Sequence, residues 1–82
     1  MHFVYILQSD KDKKFYIGQT NNIEARLKRH NTGQVLSTKH RIPLQLIHFE
    51  KFVTRSEAMR REKYMKSLKG GNEFEKILKH WD

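Results

Sequence analysis

The stretch Tyr16 to Gly33, YIGQTNNIEARLKRHNTG, limits the possible folds most, because its hydrophobic period changes partway along. Tyr16, Ile17 and Gly18 read as the end of a buried strand. From Asn22 to Asn31 the apolar residues Ile23 and Leu27 stand four apart, which is helical spacing. Asn21 is placed to cap this helix, with Glu24 reaching back from three residues on as in a capping box. Gly33 supplies the left-handed stop. At about 100° per residue, His30 falls beside Ile23 and Leu27 on the inward stripe, with Arg26 at its edge. Arg26 and His30 are four apart and so share a side. A cation and an imidazole held against a sheet that ends in a tyrosine make a candidate anion site. A snorkelling arginine and a packed histidine fit the same spacing.

The flanking segments supply the sheet and two more helices. Phe3-Val4-Tyr5-Ile6-Leu7 is β-branched and aromatic enough for a central strand buried on both faces. Ser9 to Asp12 is turn material, and Lys14 to Thr20 is a second strand, so the short connection implies an antiparallel hairpin. The expected register, in which facing residue numbers sum to 21, sets Tyr5 opposite Tyr16 with both rings on one face; a slip of one residue would separate them. Two core tyrosines with incidental hydroxyls fit the same spacing. A basic loop, Ser37 to Arg41, is closed by Pro43, and Leu44 to Phe49 is a third strand running on to Phe52. The loop suits phosphate contacts or a solvated turn. Thr54-x-x-Glu57 opens a helix that runs to about Leu68 and ends at Gly70-Gly71. On it Glu62 falls on the inward half of the wheel, where a carboxylate needs a partner: a metal ion, or Arg61 or Lys66. Asn72 caps a last short helix whose Phe74, Ile77, Leu78 and Trp81 follow the helical stripe as core cover. The order β-β-α-β-α-α gives an α+β domain, a small three-stranded antiparallel sheet flanked by helices.

The 82 residues make one domain, residues 1–82, that needs a compact core. With 37% hydrophobic and 32% charged residues the composition leaves no room for a disordered tail. The net charge of +8, from 17 Lys and Arg against 9 Asp and Glu, favours a polyanionic partner, most often nucleic acid. The absence of Cys excludes a disulfide framework and thiolate chemistry. The longest apolar run is too short to span a bilayer and no signal peptide precedes the first strand, so no membrane partner and a cytoplasmic location are expected.

Tyr5, Tyr16, Gly18, Arg26, His30 and Glu62, in this order and over nearly the whole chain, resemble the GIY-YIG endonuclease domain. The first half of the name-giving motif corresponds to Phe3-Val4-Tyr5, with its glycine and isoleucine replaced; the second half is intact as Tyr16-Ile17-Gly18, with ten residues between the halves. The segment Ser56 to Lys66 resembles the helix that carries the family's metal-binding glutamate. The resemblance is to small stand-alone members, similar to the nuclease domain of the bacterial excision-repair excinuclease. It implies metal-dependent hydrolysis of DNA phosphodiesters, in repair or recombination. Glu62 would hold one Mg²⁺ or Mn²⁺, and Arg26 would pair with phosphate oxygens through its planar fork. Tyr5 or Tyr16 would serve as base with its pKa lowered by nearby positive charge, and His30 would relay or hydrogen-bond. Gly18 would let the backbone pass close to substrate. Gln19 stands where several relatives carry a basic residue near the active face. Lys39, His40, Arg41 and Lys66 would contact the DNA backbone, which gives affinity without sequence. A protein partner for targeting fits a domain that stands alone. The alternative is a catalytically weak or inactive nucleic-acid-binding module of the same fold.

Overall fold

In a computed structural model, residues 1–69 and 71–79 are described; the expected helix stop at Gly70 and the core role of Trp81 lie outside them. The elements are β1 (His2–Ser9), β2 (Phe15–Thr20), α1 (Ile23–Asn31), a 3₁₀ turn (Lys39–Arg41), β3 (Leu44–Phe52), α2 (Arg55–Leu68) and α3 (Asn72–Lys79). The sheet is antiparallel with the order β2-β1-β3. Central β1 therefore has a neighbour on each side and helices above and below. Val4, Tyr5, Ile6 and Leu7 are each at most 2% exposed, as a strand apolar on both faces requires.

Alternation along the strands divides the core in two. On one face Val4, Ile6 and Ile17 pack against Ala58 and Met65 of α2 and Phe74 of α3. On the other, Tyr5, Leu7 and Leu44 pack with Tyr16 and with Leu27 of α1. The α+β architecture and element order expected from the sequence are those observed.

The hairpin register differs from expectation by two. Tyr5 faces Gly18 and Leu7 faces Tyr16, so paired numbers sum to 23. The cause is the turn. A sum of 21 needs a two-residue loop after Ser9, whereas here the Ser9 Oγ accepts from the backbone N–H of Lys11 and Asp12, and Ser9 pairs with Lys14. Lys13 takes the left-handed conformation, φ 62°, that closes this wider loop. A slip of two keeps the side-chain parity, so Tyr5 and Tyr16 still share a face.

Helix ends show two more differences. The cap of α1 is Asn22, whose side chain accepts from Ala25 N–H at 3.1 Å, and not Asn21 with Glu24. Thr20 fixes that cap by accepting from the Asn22 N–H. Asn72 lies inside α3 rather than capping it, since Glu75 N–H already reaches the Gly71 carbonyl. The Thr54–Glu57 capping box of α2 forms in both directions, and Gly33, φ 80°, follows α1 as its stop. Asn31 then clamps the end of α1 to β3, donating to the Leu44 carbonyl at 2.9 Å and accepting from its N–H at 2.7 Å.

Candidate active site

Tyr5 projects from the middle of β1 over Gly18 of the edge strand β2. A Cβ at Gly18 would lie 2.5 Å from the Tyr5 hydroxyl and 3.1 Å from the Tyr16 ring. A side chain at this position would thus collide with the Tyr5 ring, so the fold itself requires glycine here. With that space filled, Tyr5, Tyr16 and His30 form one cluster. Ring centroids are 6.3 Å apart for the tyrosines and 4.9 Å for Tyr16 and His30.

A chain of hydrogen bonds runs through the cluster. The Thr38 hydroxyl donates to the Val35 carbonyl at 3.4 Å, so it is free to accept from His30 Nδ1 at 2.8 Å. That leaves His30 Nε2 to accept from the Tyr5 hydroxyl at 3.0 Å. The Tyr5 oxygen in turn accepts from Arg26 Nε at 3.4 Å. His30 and Thr38 are fully buried. Burial, with Arg26 and Arg29 nearby, lowers the His30 pKa to about 4, so the ring is neutral at pH 7. Burial also raises the Tyr5 pKa, more than Arg26 opposes it. The positive charge beside Tyr5 therefore does not make it the acidic phenol expected of a base. Arg26 is held charged first by its bond to Tyr5, and the Tyr16 hydroxyl adds to this. Tyr16 is only half-buried.

Glu62 comes from α2 on the opposite side of the sheet. Its charge is among those that raise the Tyr5 pKa, so the carboxylate lies within electrostatic reach of the phenol. Its Oε2 pairs with Lys66 at 3.1 Å; Arg61, the other expected partner, pairs with Glu50 of β3 at 2.8 Å. Among the described residues no group of three or more His, Cys, Asp or Glu side chains is placed to hold a metal ion. Of the two Glu62 carboxylate oxygens only Oε2 has a partner among the described residues, and a single carboxylate of this kind suits a hard divalent cation that keeps several waters.

The expected backbone contacts separate. Lys39 and His40 are exposed, Gln19 is half-exposed beside Gly18, and Lys66 is exposed while paired with Glu62. Arg41 instead holds the hairpin, reaching Asp12 at 3.3 Å and the Phe15 carbonyl at 3.2 Å. Thr38 was missed by sequence reasoning: it lies eight residues past His30 in an irregular loop, and no periodic signal links the two.

Residues 1–77 match the model of the GIY-YIG catalytic domain. The chain belongs to the GIY-YIG family. Within it, the chain is 46% identical over 69 residues to a UPF0213 protein of Clostridium perfringens, covering 83% of this chain and 73% of the relative. It is 44% identical over 68 residues to the UPF0213 protein YazA of Bacillus subtilis, covering 82% and 68%. A solution NMR structure of a UPF0213 protein from Bacillus halodurans shares 34% identity, with 89% of each chain covered and a TM-score of 0.49. Among the described residues of this GIY-YIG domain, no helix is long and apolar enough to cross a membrane.

Proposed function

We propose that this GIY-YIG domain is a metal-dependent endonuclease that hydrolyses phosphodiester bonds in DNA, in repair or recombination, and that Tyr16 is its general base. The observation that carries the reading is the tethering of Arg26 Nε to Tyr5, with the Tyr16 hydroxyl beside the same guanidinium. In-line attack on a phosphodiester builds negative charge on the phosphoryl oxygens. Arg26, fixed through Nε, keeps its terminal nitrogens for those oxygens. Tyr5 is buried and its proton is committed to His30, so it positions Arg26. Tyr16 is the phenol within reach of solvent, and its hydroxyl lies beside the Arg26 guanidinium. As phenolate, its oxygen takes the proton of the attacking water.

Glu62 would hold the single Mg²⁺ or Mn²⁺, which when bound supplies charge neutralisation at the phosphate and the leaving oxygen. Lys66 is 56% exposed at its side chain and can swing away from Glu62 to a phosphate. Lys39, His40 and Gln19 would contact the backbone around the scissile bond.

The test is cleavage of single-stranded, duplex and branched DNA with and without Mn²⁺, beside Glu62→Ala. Metal-dependent cutting that disappears in the variant is expected. Equal cutting by both proteins would assign the activity to a contaminant. Binding without cutting by the native chain would leave a nucleic-acid-binding module of the same fold.

A further inference from the structure

Most arginines that face other elements are neutralised inside the fold, Arg61 by Glu50 and Arg41 by Asp12. The outer side of α2 is different. Arg55, Arg60 and Lys63 are exposed and make no ion pair with any described residue. Together with Ser56 and Met59 they line an open cleft of about 700 Å³. At about 100° per residue the arc leading outward from Glu62 carries Arg55, Lys66, Met59, Lys63 and then Arg60, with no further carboxylate. The basic face is therefore continuous with the side of α2 that bears Glu62.

We infer that this face of α2 is a seat for the DNA backbone flanking the scissile phosphate on the Glu62 side. The inference rests on the nuclease reading for its ligand. Arg55 and Lys63 are eight residues apart, about 12 Å along a helix, while one strand of a duplex carries a phosphate about every 3.4 Å of axis. The cations thus span several phosphates of one strand. Unpaired exposed cations break no ion pair within the fold when they meet phosphate, and the counterions they release from the DNA favour binding. Met59, half-exposed between them, offers an apolar surface to a sugar rather than a hydrogen bond to a base edge, so the seat carries affinity without sequence. An acidic protein segment with an apolar anchor is the competing occupant. DNA is favoured because the same arc ends at Glu62.

The experiment is DNA binding by fluorescence anisotropy in EDTA over a salt series, so that it is independent of cleavage. Arg55→Gln/Lys63→Gln is compared with Lys28→Gln/Lys51→Gln, which removes the same charge from sites elsewhere. Glutamine keeps good helix propensity, so α2 is retained. The α2 pair is expected to weaken binding roughly tenfold at low salt and to reduce the log–log salt slope by about 1.8, two contacts at about 0.9 each. The control pair is expected to stay within about twofold with its slope unchanged. Equal losses from both pairs would mean that only net charge matters and would overturn the seat. So would native DNA affinity in the α2 pair; loss of poly-glutamate binding with it would give the face to an acidic protein. A chain that binds DNA through α2 but never cuts would sink the nuclease reading and leave the seat standing.

Discussion

The two faces of the sheet are built on different terms. Under α2 and α3, the buried residues Val4, Ile6, Ile17, Ala58, Met65 and Phe74 form an apolar cluster, with the polar groups of that face gathered on the edge strand β3, where Glu50 joins His48 at 2.7 Å and Arg61 of α2 at 2.8 Å. Under α1, the equally buried Tyr5, His30 and Thr38 are joined by hydrogen bonds and hold a guanidinium at their outer end. The first face gains by removing apolar surface from water, a term that grows with area and tolerates repacking. The second gains little net stability, because each buried polar group must first recover its lost hydration. Stability should therefore reside mainly with the core under α2 and α3, and the positioning of Arg26 with the polar network under α1.

Substitutions should keep these properties apart. Phe74→Ala, at a fully buried ring, should cost about 3–5 kcal/mol in denaturant unfolding, while the folded fraction keeps its metal dependence of cutting. A large change in metal dependence would break the division. His30 gives the polar face a pH signature. Its folded pKa of about 4 lies below the ordinary 6.5, so the unfolded chain binds more protons between those values. Stability contributed here is complete above pH 6.5, falls as pH drops toward 4 and is flat below; the loss is roughly 3 kcal/mol. Comparing unfolding at pH 4 and 7 in the native chain and in His30→Phe checks this, and the variant should lose that increment. Gly18→Ala should cost about 1–3 kcal/mol by pushing the Tyr5 ring aside, and should lower cleavage through Arg26. Thr38→Val should cost about 1–2 kcal/mol by leaving His30 Nδ1 without its acceptor. In that variant the imidazole ¹⁵N shifts should report a changed tautomer, and Thr38→Ser should restore them.

What could be read in advance was whatever depended on local spacing. The Thr54–Glu57 box, the left-handed Gly33, the inward His30 and the shared face of the tyrosines follow from periods of 3.6 and 2, which hold before any tertiary contact forms. The misses share another cause. The hairpin register turned on the Ser9 side chain wrapping its own loop, a turn type that polar residues at those positions do not specify uniquely. Adjacent Asn21 and Asn22 are equal as caps until Thr20 fixes the second. Arg41, Arg61 and Thr38 find partners on elements far along the chain, as does the Tyr5 ring that occupies the space above Gly18, so their roles emerge only from the assembled fold.

The division between a positioning phenol and a reacting one is tested most directly by single-turnover cleavage of defined DNA with Mn²⁺ by the native chain, Tyr5→Phe and Tyr16→Phe. Loss of the base in Tyr16→Phe should lower the rate about 10²–10⁴-fold with little change in unfolding free energy. Tyr5→Phe should cut more slowly than the native chain but measurably faster than Tyr16→Phe. Native-rate cleavage by Tyr16→Phe would contradict the account.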